Sequence, residues 1–373
     1  MPIKVAHVVR QYYPSIGGME DVVQNIAHYQ ASSHGHIPTI ITLNRVFVNP
    51  TEILPSEEMV NGVRVIRIPY RGSTRYPFAP GVLRLLAGYD VVHVHGVDFA
   101  YDFLAATRWL HRRPLVASTH GGFFHTSFAS RLKKLFFNLV TRTTSRAYTR
   151  VVGTSNNDGD LFSKIIRPPR LTVIENGVNV EKYRDKASVD KTPCIMYFGR
   201  WSSNKGLLET LELFAALAAR APQWRLIIAG REYDLSRADL EQQARQLGIL
   251  ERITIAPNPG DAQLAELMSQ ASYYVCLSRH EGFGIAAIEA MSAGLVPVLS
   301  DIPPFRHLLE KSGLGVLRTG DVAQTVDAII EAHALDPLAH AARRAQLQAF
   351  SEQYSWRHIG GRYVAIYEEL LRK

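Results

Sequence analysis

The sequence predicts an α/β protein made of two Rossmann-like, doubly wound domains that face each other across a cleft. The chain has 373 residues, which is too long for one ordinary domain and suits two of about 150–190 residues each. Short apolar runs alternate with amphipathic helical runs, which is the pattern of right-handed βαβ units. Most of the short runs are almost continuously apolar, as expected for parallel strands covered on both faces.

Two series of strand candidates follow from this pattern. The first series comprises 3–9, 37–43, 63–68, 91–96, 114–119, 150–155 and 171–177. The second series comprises 194–200, 224–230, 253–257, 273–278 and 296–301. The segment between them, 181–193, is polar and lacks apolar periodicity, so it predicts a linker. We therefore expect an N-terminal domain over 1–187 and a C-terminal domain over 188–355. An amphipathic helix over 356–373 is expected to cross back to the first domain.

Composition excludes several protein classes. Hydrophobic residues make up 46% and charged residues 20% of the chain, which is typical of globular proteins and not of disordered ones. No run approaches the roughly 20 apolar residues of a membrane span, and the start shows no export leader. The only two cysteines, Cys194 and Cys276, lie in apolar runs and are expected to be buried thiols. These features predict a cytoplasmic protein.

The positive charge is concentrated in the first half of the chain. Residues 1–187 hold 23 Lys and Arg against 13 Asp and Glu, whereas the remainder holds 19 against 21. The N-terminal domain is therefore expected to face something anionic.

The strongest motif lies at 278–298. The strand candidate 273–278 leads into Glu281-Gly282-Phe283-Gly284, and a helix is expected from Ile285. Two glycines let backbone N–H groups approach a ligand, and the helix N-terminus favours an anion. Glu281 and Glu289 can each accept hydrogen bonds from a pair of adjacent hydroxyls, so the two carboxylates suit two sugar rings.

Two cations follow the first strand of the second series. Arg200 ends the candidate 194–200, and Lys205 opens the next helical run. At this spacing they can bind a diphosphate and stabilise it as it leaves.

These motifs resemble the large family of retaining glycosyltransferases that includes sucrose synthase and the mycobacterial phosphatidylinositol mannosyltransferases. This is the group 1, family four type with the GT-B fold, and the resemblance covers nearly the whole chain. It implies that the C-terminal domain binds a nucleotide sugar and the N-terminal domain the acceptor. Glu281 would then contact the transferred sugar, Glu289 the ribose, and the Gly282–Ile285 backbone the sugar and phosphate. Arg200 and Lys205 would neutralise the negative charge of the diphosphate in place of a metal ion.

The resemblance also assigns residues in the N-terminal half. Gly17 and Gly18 follow the first strand but lack the G-x-G-x-x-G spacing of dinucleotide sites. By resemblance, their loop closes over the donor phosphate and borders the acceptor. His120, at the end of the strand 114–119, would lie beside the transferred sugar. His93 and His95 are expected to be core residues.

Asp158 and Asp160 spell the Asp-x-Asp motif with which some glycosyltransferases hold a metal ion. They precede a helical run, where Asp is a favoured N-cap. No His and Cys cluster has metal-ligand spacing in the sequence. We therefore expect helix capping, and neither a metal nor another cofactor.

A basic stretch covers 130–150. Its cations are Arg131, Lys133, Lys134, Arg142, Arg146 and Arg150, with leucines, phenylalanines and a valine among them. A helix of this kind suits an anionic membrane, and it equally suits a solvated helix packed on the sheet. If the helix binds a membrane, the protein is expected on the inner face of the cytoplasmic membrane. No nucleic-acid-binding module is visible.

The opening RQYYPSIGGMEDVV resembles bacterial exopolysaccharide mannosyltransferases of the xanthan and acetan type. That resemblance implies GDP-mannose as donor, a polyprenyl-diphosphate-linked cellobiose as acceptor, and an α-1,3 linkage. Three alternatives stay open. They are a UDP-sugar-dependent transferase, a sugar-nucleotide epimerase or hydrolase of the same architecture, and a non-catalytic nucleotide-sugar-binding protein.

Overall fold

The chain folds into two units. A computed structural model describes residues 1–15, 17–74, 76–121, 135–318 and 320–372. One unit comprises Met1–Gly177 with Trp356–Lys373, and the other comprises Val178–Ser355. The sequence predicts the boundary after residue 187, but the division lies earlier, after Gly177. The reason is that apolar side chains in the otherwise polar segment that follows pack into the second core: Val178, Val180, Tyr183 and Ala187.

The first unit is built on an eight-stranded sheet. Its strands, with a separate hairpin of β5 and β6, are β1 (Lys4–Val9), β2 (Ile37–Leu43), β3 (Glu57–Val60), β4 (Val63–Ile68), β5 (Arg71–Ser73), β6 (Tyr76–Phe78), β7 (Val91–His95), β8 (Leu115–Ser118), β9 (Arg150–Gly153) and β10 (Leu171–Val173). The order across the sheet is β10-β9-β8-β7-β1-β2-β4-β3. All neighbours are parallel except β3 and β4. The sequence missed β3 and the hairpin because these short segments carry no continuous apolar run.

Helices cover both faces of this sheet. They are α1 (Gly18–His34), α2 (Phe99–Ala106), α3 (Arg108–His111), α4 (Arg142–Thr144), α5 (Asn156–Ser163) and the C-terminal helix (Trp356–Leu371), with 3-10 turns at Pro80–Gly88, Ser145–Ala147 and Pro168–Arg170 and a π turn at Phe137–Thr141. Side chains of β1 alternate between faces, so that Ala6 and Val8 join one core cluster. Val5 joins another cluster, formed with α1 and the C-terminal helix.

The C-terminal helix packs within the first unit. Arg150 Nη2 lies 2.7 Å from Glu369 Oε2, and Arg362 Nη2 donates to the carbonyl of Val173. Gly360 has no side chain where Tyr29 of α1 crosses it, and a Cβ there would lie 2.4 Å from the Tyr29 ring. These contacts tie residues far apart in sequence to one sheet.

The second unit has a six-stranded parallel sheet. Its strands are β11 (Cys194–Phe198), β12 (Arg225–Gly230), β13 (Ile253–Pro257), β14 (Tyr273–Cys276), β15 (Val296–Ser300) and β16 (Val316–Arg318). Its helices are α6 (Leu207–Arg220), α7 (Arg237–Gln246), α8 (Asp261–Met268), α9 (Ile285–Ala293), α10 (Pro303–Ser312), α11 (Val322–Ala334) and α12 (Pro337–Ser351), with 3-10 turns at Ser203–Lys205, Leu250–Arg252 and Glu352–Tyr354. The order is β13-β12-β11-β14-β15-β16, the Rossmann order.

Two sequence expectations can be checked directly. Cys194 and Cys276 are buried free thiols, as predicted. Within the described ranges, no helix combines the length and apolarity that crossing a membrane requires.

Candidate active site

The strand order places the predicted donor site at the switch point of the second sheet. The chain moves outward in one direction from β11 through β12 to β13, and then in the other from β14 to β16. Ligands of such sheets bind where the carboxyl ends of the two central strands diverge. Arg200 and Lys205 follow β11, and Glu281 follows β14, so the sheet brings together motifs that are far apart in sequence.

A glycine allows the two loops to touch. Gly206 adopts φ +68°, and a Cβ there would lie 2.1 Å from the carbonyl oxygen of Leu277. This close approach places the loop after β11 against the loop after β14. Arg279 N donates to the Asn204 carbonyl over 2.9 Å, and Asn204 Nδ2 donates to the His280 carbonyl over 2.9 Å.

Lys205 and Glu281 form an ion pair at this junction. Lys205 Nζ lies 2.6 Å from Glu281 Oε1, and the two side chains are 23% and 13% exposed. Ser278 Oγ donates to the same Oε1 over 2.7 Å. The carboxylate is therefore oriented before any ligand binds. The sequence named the ion pair's members separately but missed Ser278 as their partner.

Arg200 has different neighbours. Its guanidinium lies over the ring of Tyr233, 4.7 Å from the centroid, and its carbonyl accepts from Tyr197 Oη over 2.8 Å. The exposed Tyr233 follows β12 and was not recognised from sequence as a partner of Arg200.

Helix α9 begins with an open N-terminus. Gly284 is its N-cap at φ +92°, no side chain caps the helix, and its first turn has no acidic residue. A Cβ on Gly284 would lie 2.7 Å from the Phe305 ring, so this glycine is required by packing as well as by its backbone conformation. Gly282 differs, because a Cβ there would meet nothing within 4 Å. The first N–H groups of a helix have no acceptor inside it and can bind an anion.

Two further residues that the sequence predicts for the donor site, Ile285 and Glu289, lie on α9. Ile285 is 41% exposed at the first position of the helix, and Glu289 follows it by four residues. Residues at this spacing share a helix face. Glu289 is partly buried, and its carbonyl accepts from Ser292 Oγ. Phe283, just before the helix, is partly buried and packs against Tyr354.

In the first unit, His120 lies directly after β8 in an unusual backbone conformation. Its φ is +51°, which is uncommon for a residue with a side chain. Asp158 Oδ2 holds the residues on both sides, because it accepts from Thr119 Oγ1 over 2.6 Å and from Gly121 N over 3.0 Å. Thr154 Oγ1 donates to the same oxygen over 3.1 Å.

This arrangement corrects the expected role of the Asp-x-Asp motif. Helix α5 begins at Asn156, and its N-cap is Ser155, which accepts from Asp158 N. Asp158 is buried and Asp160 is exposed. Two residues apart on a helix, their side chains point away from each other. The expectation of N-capping by these aspartates is wrong, because the helix starts earlier than its apolar run suggested.

A cluster of three buried histidines lies next to His120. His7, His93 and His95 are buried on one face of the adjacent strands β1 and β7, with ligand nitrogens within 4.8 Å of one another. The core placement of His93 and His95 is confirmed. The sequence missed the cluster because His7 is remote in sequence and joins the others only through strand pairing. His7 Nδ1 and His95 Nε2, 3.0 Å apart, are already bonded to each other.

Gly17 and Gly18 lie where α1 begins after β1. Gly17 is the N-cap without a side-chain cap, and Glu20 and Asp21 lie in the first turn. A Cβ on Gly17 would meet the Glu20 carboxylate at 2.5 Å, whereas one on Gly18 would meet nothing within 4 Å. Of these two glycines, Gly18 is the one that leaves open space beside it.

The basic stretch is described from residue 135 onward, so Arg131, Lys133 and Lys134 lie outside the described residues. In the part that can be seen, Leu135 and Leu139 are 55% and 59% exposed. Arg142 and Arg146 follow at helical spacing and are also exposed.

Comparison with known proteins identifies the family. A profile of "Glycosyl transferases group 1" matches residues 179–348, and one of "Glycosyltransferase Family 4" matches residues 16–182. A Xanthomonas campestris protein named GDP-mannose:cellobiosyl-diphosphopolyprenol alpha-mannosyltransferase is 53% identical, covering 99% of this chain and 97% of that protein. The chain belongs to the group 1, family 4 glycosyltransferases.

A second relative and a solved structure extend this likeness. A Komagataeibacter xylinus protein with the same name is 42% identical to this glycosyltransferase, over 99% of the chain and 94% of that protein. A glycosyltransferase structure from Rickettsia africae ESF-5 superposes with a TM-score of 0.73 at 19% identity, covering 100% and 99% of the two chains. At that identity the likeness supports the fold alone. The fold is GT-B, with two Rossmann-like domains.

Proposed function

We propose that this glycosyltransferase transfers mannose from GDP-mannose, with retention and without a metal ion, to a cellobiosyl-diphosphopolyprenol acceptor through an α-1,3 linkage. The observation that carries the proposal is the 53% identity, over nearly the full length of both chains, to a protein named for this donor and acceptor. The ion pair and the open helix N-terminus at the switch point suit a nucleotide-sugar diphosphate.

Glu281 is proposed to bind the transferred mannose. The two hydrogen bonds that its carboxylate accepts, from Lys205 and Ser278, both go to Oε1. Among the described residues nothing is bonded to Oε2, which is therefore available to the sugar hydroxyls. Glu289, on the same helix face as Ile285, is proposed to bind the ribose. His120 would lie beside the mannose.

The remaining residues are proposed to stabilise the leaving diphosphate. As the bond between C1 and the β-phosphate oxygen breaks, negative charge grows on that oxygen. Lys205, Arg200 and the N–H groups from Gly282 to Ile285 supply positive charge and donors there. The acceptor hydroxyl attacks C1 from the face that the diphosphate leaves, and its proton passes to the departing phosphate oxygen. Gly17 and Gly18 are proposed to let the α1 N-terminus approach the same phosphate.

The chain is also proposed to attach to the inner face of the cytoplasmic membrane, where a polyprenol-linked acceptor would reside. The exposed leucines Leu135 and Leu139 beside Arg142 and Arg146 support this. Apolar side chains flanked by cations suit an anionic bilayer surface.

A donor panel tests the proposed function. Radiolabelled GDP-mannose, UDP-glucose and ADP-glucose are each incubated with cellobiosyl-diphosphopolyprenol, with and without EDTA, beside Lys205→Ala as an inactive control. We expect label in the lipid fraction only from GDP-mannose, undiminished by EDTA. Transfer from UDP-glucose alone would contradict GDP-mannose as the donor and indicate a UDP-sugar-dependent transferase. Loss of activity with EDTA and recovery with Mn²⁺ would overturn the metal-free mechanism.

A further inference from the structure

A chain of hydrogen bonds runs inside the first unit from helix α1 to His120. Gln30 Oε1 lies 2.9 Å from His7 Nε2, and His7 Nδ1 lies 3.0 Å from His95 Nε2. His95 Nδ1 lies 3.0 Å from His120 Nε2. Gln30 and His7 are fully buried, and His95 is 1% exposed. Three imidazoles are thus linked end to end through both ring nitrogens.

The three imidazoles are neutral at physiological pH. Burial lowers the pKa of His7 and that of His120 to about 4. Burial also lowers the pKa of His95 well below its usual range, and neighbouring histidines lower it further. A neutral imidazole carries one N–H and one lone pair. Each ring must therefore donate at one nitrogen and accept at the other.

The amide oxygen of Gln30 gives this chain a direction. An amide oxygen only accepts, so His7 donates from Nε2 and accepts at Nδ1. His95 must then donate from Nε2 to His7 and accept at Nδ1. His120 in turn donates from Nε2, which leaves a lone pair on its Nδ1. No described residue is bonded to Nδ1 of His120.

The backbone fixes where His120 sits at the end of this chain. Asp158 accepts hydrogen bonds from the residues on either side of it, Thr119 and Gly121. The backbone is held by one buried carboxylate while the ring is held by His95. Both the location and the protonated nitrogen of His120 are therefore determined by its surroundings.

We propose that Gln30, His7 and His95 are positioning residues that set the tautomer of His120, so that its Nδ1 accepts a hydrogen bond from a hydroxyl of the transferred sugar. The inference rests on the proposed function, because that function places His120 beside the sugar. It assigns a hydroxyl, and not a phosphate oxygen, as the partner of Nδ1, since a phosphate oxygen has no proton to donate.

Kinetics of chain-breaking variants test the role. Gln30→Met keeps the shape but removes the acceptor, and His95→Phe removes the link to His120. We expect each to lower kcat about tenfold with KM for GDP-mannose within about twofold, the size of one lost hydrogen bond in a network. Gln30→Glu retains an acceptor and should restore most of kcat. His93→Phe is the matched control, because His93 is equally buried but bonds to Tyr367 and Ser118 instead.

A double-mutant cycle separates positioning from folding. In a His120→Ala background, Gln30→Met and His95→Phe should cause no further loss of kcat, since they act through His120. Additive losses, or an equal loss in His93→Phe, would show a merely structural role. Melting temperatures identify any variant that does not fold. If His95→Phe fails to fold, the Gln30→Met variant on α1 still tests whether the chain acts through His120.

Nitrogen-15 NMR of the ligand-free protein provides a test that needs no substrate. With labelled histidine, and His120 assigned through His120→Asn, we expect the neutral Nε2–H tautomer in the wild type. Gln30→Met should shift the His120 nitrogens toward a mixture of tautomers. An Nδ1–H tautomer in the wild type, or nitrogens unchanged in Gln30→Met, would overturn the inference. If this holds but no mannose is transferred, the proposed function fails and the tautomer assignment does not.

Discussion

At the scale of single residues, the two glutamates of the proposed donor site have different surroundings. Glu281 is held in the loop after β14 by Lys205 and Ser278. Glu289 lies on α9, one helical turn beyond Ile285. A carboxylate fixed in a loop at the strand end suits the reacting sugar, whereas one further along the helix suits the nucleoside.

This difference predicts a separation of effects. Glu281→Ala should lower kcat while leaving the affinity for free GDP largely intact. Glu289→Ala should weaken the binding of free GDP by about 1.5–3 kcal/mol, which is the contribution of a hydrogen bond to a charged acceptor. Calorimetry with GDP, beside initial rates with GDP-mannose, measures both. Loss of GDP affinity in Glu281→Ala alone would mean that the roles are exchanged.

The aspartates of the Asp-x-Asp motif provide a second test. Asp158 accepts three hydrogen bonds around His120, and Asp160 is exposed. Asp158→Ala should cost about 2–4 kcal/mol of unfolding free energy, because buried donors lose their acceptor. Asp160→Ala, the matched control, should leave both stability and activity close to wild type. Loss of activity in Asp160→Ala, with normal melting, would point to a metal site.

The sequence picked out individual candidate residues of the proposed donor site but not the contacts between them. Arg200, Lys205 and Glu281 became candidates because each lies at the end of an apolar run or in the loop that follows one. The ion pair of Lys205 with Glu281 depends on β11 and β14 being neighbours and on Gly206 touching Leu277. The tie between Asp158 and the His120 loop likewise arises from packing, which local patterns do not report.

At the scale of elements, three helices that follow switch-point strands, α1 after β1, α6 after β11 and α9 after β14, lack side-chain caps. Glycines precede α1, α6 and α9, and no side chain caps these helices. In the described part of the chain, side chains cap five helices, with Asp98 on α2, Ser155 on α5, Ser236 on α7, Asp321 on α11 and Asp336 on α12. The helices α8 and α10, which do not follow switch-point strands, also lack a side-chain cap. An uncapped N-terminus keeps its N–H groups available for a ligand phosphate.

A substitution at Gly282 tests whether the open space beside this glycine is occupied by the donor. Gly282→Ala should leave the melting temperature nearly unchanged, because its Cβ would meet nothing within 4 Å. It should weaken GDP-mannose binding by about 1–3 kcal/mol, the usual effect of one misplaced carbon in a binding site. Gly88→Ala has equally open space and serves as the control. Equal donor affinity in both variants would exclude close approach at Gly282.

At the scale of the whole molecule, strand and helix patterning predicted two Rossmann-like domains and nearly every parallel strand. It did so because buried parallel strands are continuous apolar runs, visible without tertiary information. The domain boundary was misplaced because scattered apolar residues after Gly177 become buried only when the second core forms. Composition alone gives the net charge of +8. It does not tell which cations lie on the same surface as exposed leucines, because that depends on the fold.

That surface predicts salt-sensitive binding to anionic vesicles. The triple variant Leu139→Gln, Arg142→Gln and Arg146→Gln should lose about 1 kcal/mol of attraction per removed charge, in addition to apolar contact. Arg237→Gln with Arg245→Gln removes two exposed charges from α7 of the other unit and should bind like wild type. Cosedimentation at low and high salt measures both. Unchanged binding of the triple variant would assign these residues to a solvated face.

The stereochemistry of the product tests the central claim most directly. Wild-type protein is supplied with GDP-α-mannose and cellobiosyl-diphosphopolyprenol, and the released trisaccharide is analysed by NMR through the one-bond coupling between C1 and H1 of mannose. The account predicts an α-linked mannose on the acceptor cellobiose, because attack and departure share one face. A β-linked product, or free mannose with no trisaccharide, would contradict retaining transfer by this site.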